Sequence, residues 1–260
     1  MSPDSTIRIA HFSDLHCGSP HFQADLLERA IEEINELEPE VAVISGDLTT
    51  DGFEPEYRLA REFVDRIECE DLIVIPGNHD SRNVGYVHFE ELFGPRASVL
   101  HKHGLTIVAE DSSEPDLDHG QIGRNRYELI EREFADPAVL RVFVLHHHLL
   151  PIPGTGRERN IVYDAGDLLE VLLRSGVKLV LAGHKHVPYA WHLESLFVVT
   201  TGTVSTLRLR GHGRPCYNVI EVGPEWVRIY RKYPFEGQEP IIEFSRETHE
   251  YEKPGLGAAT

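Results

Sequence analysis

Apolar residues in this chain come in short runs, and five of those runs stop abruptly at polar residues able to do chemistry. Leu72-Ile-Val-Ile75 leads through Pro76-Gly77 into Asn78-His79-Asp80. Ile7 to Ser13 leads into Asp14-Leu15-His16, and Val41 to Ser45 into Gly46-Asp47. Arg141 to Leu145 leads into His146-His147-His148, and Leu179 to Ala182 into Gly183-His184-Lys185-His186. Short apolar runs closed by Gly or Pro read as buried strands. In open α/β sheets ligands bind outside the carboxyl ends of the strands, so the five tips are expected to converge on one site.

Helical spacing fills the intervals. Leu27, Ala30, Ile31, Ile34 and Leu37 predict a helix from Ala24 to Leu37, with Pro39 just past its end. A second helix is expected near Pro55 to Ile67, a short one over Phe89 to Phe93 and another over Arg124 to Phe134. A further helix should run to Arg174, with Asp164 as its N-cap and Gly176 closing it. Val99 to His103 and Leu105 to Glu110 predict a hairpin about Gly104. The βαβαβ alternation predicts a parallel core. Beyond Ala182 the pattern changes to consecutive strands: Tyr189 to Leu193, Leu196 to Thr201, Val204 to Leu209, Tyr217 to Val222 and Trp226 to Tyr233. They predict an antiparallel meander added to the parallel half, giving two sheets face to face with helices outside. Pro234 to Thr260 is polar and reads as a surface-wrapping or frayed tail.

At 260 residues and 41% hydrophobic, the chain is long enough for one large α/β domain, alone or with a small appendage. Cys17, Cys69 and Cys216 form no disulfide framework, which fits a reducing compartment. Cys17 reads as a small buried residue. Met1 to Thr6 has neither a basic nor an apolar leader region, and no apolar run approaches the length of a membrane span. No signal peptide, no integral membrane segment and a cytoplasmic enzyme are therefore expected. A formal net charge of -18 argues against a nucleic-acid polymer as partner. A small anion remains accessible where a local cation outweighs the screened surface field.

Asp, Asn and His with no cysteine among them suit Mn, Fe or Zn. Asp14 and His16 are two apart, as are His184 and His186, and on an extended segment each pair would face one side. Asp47, after a glycine, offers a carboxylate able to bridge two ions, and Asn78 a neutral carbonyl oxygen. Two divalent ions about 3.5–4 Å apart can clamp a phosphate and acidify a bound water. After the fourth strand tip, His146 is the expected ligand, His147 its rival or a substrate contact, and His148 is expected to face outward. Arg208, Arg210 and Arg214 with His212, and Asn160 with Tyr163, are weaker candidates for substrate contact.

Asp14-x-His16, Gly46-Asp47, Gly77-Asn78-His79-Asp80, His146-His147 and Gly183-His184-x-His186, in this order, resemble the calcineurin-like metallophosphoesterase superfamily. The motifs look most like its branch of cyclic-nucleotide and other small phosphodiesterases. The resemblance implies a four-layer α-β-β-α sandwich with two mixed sheets, occupying residues 1–235 with a tail over 236–260, and two divalent metal ions at the carboxyl ends of the strands. It implies that Asp14, His16 and His186 hold one metal, that Asn78, His146 and His184 hold the other, and that Asp47 bridges them. His79 would contact the substrate phosphate and protonate or stabilise the leaving group, with Asp80 orienting it. One departure is visible: His148-Leu149-Leu150 stands between His146-His147 and Pro151, so the loop shaping the substrate pocket differs. The expected activity is hydrolysis of a small phosphodiester, a cyclic nucleotide or glycerophosphodiester, by metal-activated hydroxide. The alternatives are a phosphomonoesterase acting on protein or small molecules, and a non-catalytic scaffold. The oligomeric state is not legible.

Overall fold

The computed structural model describes residues 6–155, 161–207, 209, 213–248 and 250–253. Two sheets face one another. The larger is built from β1 (Ile7–Phe12), β2 (Val41–Ile44), β3 (Asp71–Val74), β10 (Tyr217–Val222), β11 (Trp226–Lys232), β12 (Gln238–Ser245) and β13 (Tyr251–Glu252), in the order β13-β12-β11-β10-β1-β2-β3. The smaller contains β4 (Ser98–Lys102), β5 (Leu105–Ala109), β6 (Leu140–Val144), β7 (Leu179–Ala182), β8 (Tyr189–Leu193) and β9 (Leu196–Thr200), in the order β4-β5-β6-β7-β9-β8.

Alternation along each strand assigns its faces. Ile7 and Ile9 of β1 point inward with Val41 and Val43 of β2, and meet Ile107, Val142, Val144 and Leu181 from the other sheet. Ala10 and Phe12 point the other way, onto α1 (Ala24–Glu36), α2 (Glu54–Val64) and α3 (Gly85–Phe93). Val108, Phe143 and Val180 of the smaller sheet likewise receive α4 (Arg124–Glu133) and α5 (Ala165–Arg174). The result is the expected α-β-β-α layering with two mixed sheets. β1 is the switch point of the larger sheet, parallel to β2 and antiparallel to β10.

Three expectations are corrected. The strands after Ala182 do not form one meander. β9 joins β7 in parallel with β8 on its outer edge, while β10 to β12 extend the other sheet antiparallel. Val204 to Thr206 form no strand. Thr203 and Ser205 turn their hydroxyls onto the Asp14 and Leu15 carbonyls at 2.7 and 2.6 Å, so the segment is a polar strap over the first metal-type loop. The stretch expected as a tail supplies β12, paired along β11, with Ile242 and Phe244 buried between the sheets. Its apolar residues are few and spaced two apart, and that spacing, not their number, makes the strand. Asp164 does stand at the N-cap of α5, but its carboxylate accepts from the Ile122 and Gly123 amides and the Tyr127 hydroxyl instead of capping the helix. No helix among the described residues is long and apolar enough to cross a membrane.

Ile242→Ala removes a side chain packed between the sheets and should cost about 2–4 kcal/mol in urea unfolding. An unchanged midpoint would return residues 238–245 to the status of a dispensable tail.

Candidate metal centre

Each tip residue sits where its strand ends. Asp14 and His16 follow β1, Asp47 follows β2, Asn78 follows β3, His146 follows β6, and His184 and His186 follow β7. Five of these seven have left-handed backbones: Asp14 (φ 60), His16 (φ 46), Asp47 (φ 54), His184 (φ 77) and His186 (φ 55). The two-apart pairs therefore do not lie on extended segments; alternate residues turn back, and this turns both side chains inward. Asp and His tolerate this conformation better than most side chains, and residues held in it cluster at functional sites. Two glycines make room. A Cβ on Gly46 would press on the Gly77 backbone, and one on Gly77 would collide with the Asp47 carboxylate.

The donors form three overlapping groups, Asp14/His16/His186, His16/Asp47/His79 and Asp47/His146/His184, each with its ligand atoms within 4.8 Å of one another. His186 Nε2 lies 3.3 Å from Asp14 Oδ1, and His16 Nε2 lies 3.7 Å from Asp47 Oδ2. On the other side His146 Nε2 is 3.4 Å from Asp47 Oδ2 and 3.2 Å from Asn78 Oδ1, which is 2.9 Å from His184 Nδ1. Asp47, 1% exposed, belongs to both sides.

This donor set fits divalent cations. His146 Nδ1 faces the Ser45 carbonyl at 2.7 Å, and a carbonyl only accepts, so the proton of the neutral ring sits on Nδ1. Nε2 then presents a lone pair to two further acceptors, Asn78 Oδ1 and Asp47 Oδ2. His16 is set the same way, its Nδ1 directed at the Thr49 carbonyl at 3.2 Å. Lone pairs converging at these separations repel unless a cation lies among them, and donors about 2.0–2.2 Å from a common ion stand about 3 Å apart. In the protein alone a proton takes that part. Burial disfavours His146 imidazolium, but Asp47, backed by Asp14, prevails and the pKa is pushed up to about 9. Burial acts to raise Asp47, but His146, His79 and His16 outweigh it and hold its carboxyl well below the usual range. Burial lowers His16 to about 4.

His79 opens on the cavity beside these groups, which measures about 370 Å³ and is lined also by Asn78, Arg82, Asp118, His184, Lys185 and His186. Its Nδ1 lies 2.5 Å from the Thr50 carbonyl, which therefore fixes the proton on Nδ1. Asp80 does not orient it. The Asp80 carboxylate accepts from the amides of Gly77, Leu48 and Thr49 at 2.9, 3.0 and 2.8 Å, and from the Thr49 hydroxyl at 2.7 Å. It therefore clamps the loop after β2 to the loop after β3. Burial, then Asp47, raises it to about 6 against those donors.

His147 does not reach the cavity either. It is fully buried, with Nδ1 2.9 Å from the Ser112 hydroxyl and Nε2 3.3 Å from the Asp118 carbonyl. His148, expected to face outward, is buried and stacked on His184, ring centroids 5.6 Å apart. Cys17 is a buried core residue, as expected. Tyr163 is exposed away from the cavity, and Arg214 pairs with Glu236 and stacks on Tyr233. Arg208, Arg210, His212 and Asn160 lie outside the described residues.

Sequence reasoning missed Thr50 and Arg82. Arg82 Nη1 is 3.3 Å from the Thr50 carbonyl and 3.0 Å from His79 Nδ1, and Nη2 is 2.9 Å from Asp118. The signal for Arg82 was its place two residues after Asp80; Thr50 acts through its backbone and carries none.

The family model for calcineurin-like phosphoesterases matches residues 7–188. The cAMP/cGMP dual specificity phosphodiesterase of Mycobacterium tuberculosis is 28% identical over 243 residues, covering 85% of this chain and 74% of that protein. The 3',5'-cyclic adenosine monophosphate phosphodiesterase CpdA of Escherichia coli is 27% identical over 198 residues, covering 72% of each. Among solved structures, a purple acid phosphatase from yellow lupin (Lupinus luteus) seeds superposes with a TM-score of 0.71 at 13% identity, over 93% of this chain and 54% of that one. PhoD superposes with a TM-score of 0.68 at 9% identity, over 96% and 71%. These two likenesses are of fold, and this chain spans about half the length of the lupin enzyme. The matched segment contains every tip residue from Asp14 to His186, and the chain belongs to the calcineurin-like phosphoesterase family of metal-dependent phosphoric ester hydrolases.

Proposed function

We propose that this protein hydrolyses a small phosphodiester of the cyclic-nucleotide class at a dinuclear metal site centred on Asp47. The observation that carries this reading is the sharing of Asp47 between two donor groups, in a chain whose relatives are named cyclic-nucleotide phosphodiesterases. Asp14, His16 and His186 would hold one divalent ion, Asn78, His146 and His184 the other, with Asp47 common to both. When bound, such ions neutralise phosphate charge and lower the pKa of water.

The chain's own residues supply positioning and a proton. His79, with its Nδ1–H committed to the Thr50 carbonyl, keeps Nε2 for proton transfer to the leaving ester oxygen, and the same carbonyl stabilises the ring when it is protonated. Arg82 shares that carbonyl and adds positive charge at the cavity wall. Asp80 acts at one remove: by clamping the loops after β2 and β3 it sets the position of Asp47 and Asn78.

Hydrolysis of bis(p-nitrophenyl) phosphate, with p-nitrophenyl phosphate in parallel, tests the class. Protein stripped of metal should be inactive, recover with Mn²⁺ and favour the diester. Recovery on the monoester alone would replace the diester reading by a phosphatase.

His79→Ala should retain two metals per chain by elemental analysis while kcat falls about 10²–10⁴-fold. Loss of metal instead would make His79 a ligand, as its grouping with His16 and Asp47 permits.

Asp80→Asn places an amide where four donors converge and should cost about 1–3 kcal/mol. It should weaken metal retention while the pH profile of residual activity stays unchanged. A shifted profile would restore Asp80 as the partner of His79.

A further inference from the structure

Two strands that deliver metal-type donors at their carboxyl ends, β6 and β7, contribute to a second cluster at their amino ends, joined there by the end of β12. Arg141 is the second residue of β6, Lys178 directly precedes β7, and Arg246 directly follows β12. The three line one cavity of about 340 Å³, bounded also by Pro137, Ala138 and Pro224. Arg141 and His146 are five residues apart along β6, about 16 Å at about 3.3 Å per residue, so this cavity lies at the other end of the sheet from the metal centre.

With 43 acidic residues against 25 basic ones, an arginine here readily finds a carboxylate. Arg126 pairs with Glu110 and Arg228 with Glu243. The cavity cations differ. Arg141 donates Nε to the Asp136 carbonyl at 2.9 Å and Nη1 to the Ser175 carbonyl at 2.6 Å. Arg246 donates Nη1 to the Gly223 carbonyl and Nη2 to the Gly104 carbonyl, both at 2.8 Å. Backbone carbonyls fix the direction of each guanidinium and leave its charge uncompensated. Among the described residues neither arginine, nor Lys178, has a carboxylate within ion-pair distance, and the Lys178 ammonium has no side-chain hydrogen bond. Burial pushes all three below their usual values, and Arg141 lowers Lys178 further, while Asp136 and Glu247 favour the charged arginines from a distance. Glu247 also lines the cavity but is exposed.

The arginines are held in advance of any ligand. Gly176 (φ +67) and Gly104 (φ +74) turn the chain beneath them, and a Cβ on Gly176 would collide with Arg141 Nη1. Three cations against one exposed carboxylate, in a cavity large enough for a small organic molecule, define a receptor for a multiply charged oxyanion. Guanidinium and ammonium donors suit phosphate in particular. We infer that this cavity is a second ligand site, remote from the metal centre, that takes a small phosphate-bearing anion. Pro137, Ala138 and Pro224 would face its uncharged part.

Equilibrium dialysis of labelled inorganic phosphate against the metal-loaded protein, at constant ionic strength set with chloride, tests this. Asp47→Asn should retain a phosphate site that Lys178→Glu loses, because the new carboxylate beside Arg141 takes the anion's place; the expected weakening is about tenfold or more. Phosphate should likewise raise the melting temperature of Asp47→Asn but not of the Asp47→Asn/Lys178→Glu double variant, with Asp47→Asn/Lys178→Ala intermediate. Adenosine 5'-monophosphate in place of phosphate reads the source: tighter binding assigns the site to an organic phosphate, equal binding to the free ion. Equal phosphate binding by wild type and Lys178→Glu, or a thermal shift reproduced by chloride at the same ionic strength, would overturn the site. Both readouts are binding measurements, so they stand whether or not the diesterase reading survives.

Discussion

A carboxylate sealed from solvent sets the terms for everything near it. Asp47 lies at the meeting of two loops with almost no exposure, where an uncompensated charge would cost several kcal/mol. The chain answers with imidazoles on both sides and with the His79 amide, 2.9 Å from Oδ1. Those imidazoles are aimed by carbonyls: Ser45 for His146, Thr49 for His16, Thr50 for His79. Three carbonyls from one short stretch, residues 45–50, thus fix which nitrogen of three histidines faces inward. The Asp80 clamp holds that stretch, and with it the centre.

The backbone bears the cost of this convergence. Five candidate ligands sit in a left-handed conformation, and such positions persist only when their surroundings over-determine them. Here the surroundings are visible: the Asp14 and His16 amides donate hydrogen bonds to the Gly46 and Asp47 carbonyls, both 2.9 Å, and the hydroxyls of Thr203 and Ser205 donate to the same loop. A strained loop stapled from two directions holds donors in place before any ion arrives, which is what a preorganised site requires.

Much of this was legible because strand-tip chemistry is written locally. An apolar run closed by Gly-Asp or Gly-Asn-His announces both the strand and what it delivers. The two-sheet layering followed from the same runs, since their alternation sorts residues to two faces. What escaped was non-local. Asp80 follows His79 directly, yet its side chain leaves in the other direction, toward amides 31 and 32 residues away. His147 and His148 are adjacent to a ligand-type residue and still face the core, because a loop leaving a buried strand end can itself be buried. Val204 to Thr206 have the alternation of a strand, but the Ser205 hydroxyl is drawn to the Asp14 and Leu15 carbonyls, more than 180 residues earlier. β12 was passed over because the stretch is polar with Pro and Gly, although only its inward positions needed to be apolar.

β1 lies inside the larger sheet, between β10 and β2, and precedes both in the sequence. Its parallel neighbour β2 follows within thirty residues or so, while its antiparallel neighbour β10 begins only at Tyr217. Until β10 is in place, β1 keeps an open, apolar edge, the kind of edge that invites pairing with other chains. His184 and His186 also emerge late, so Asp14 and His16 spend that time without the donors that complete their set. The donor set is thus assembled from residues 170 positions apart and exists only in the folded chain, which would tie any ion it holds to the folded state.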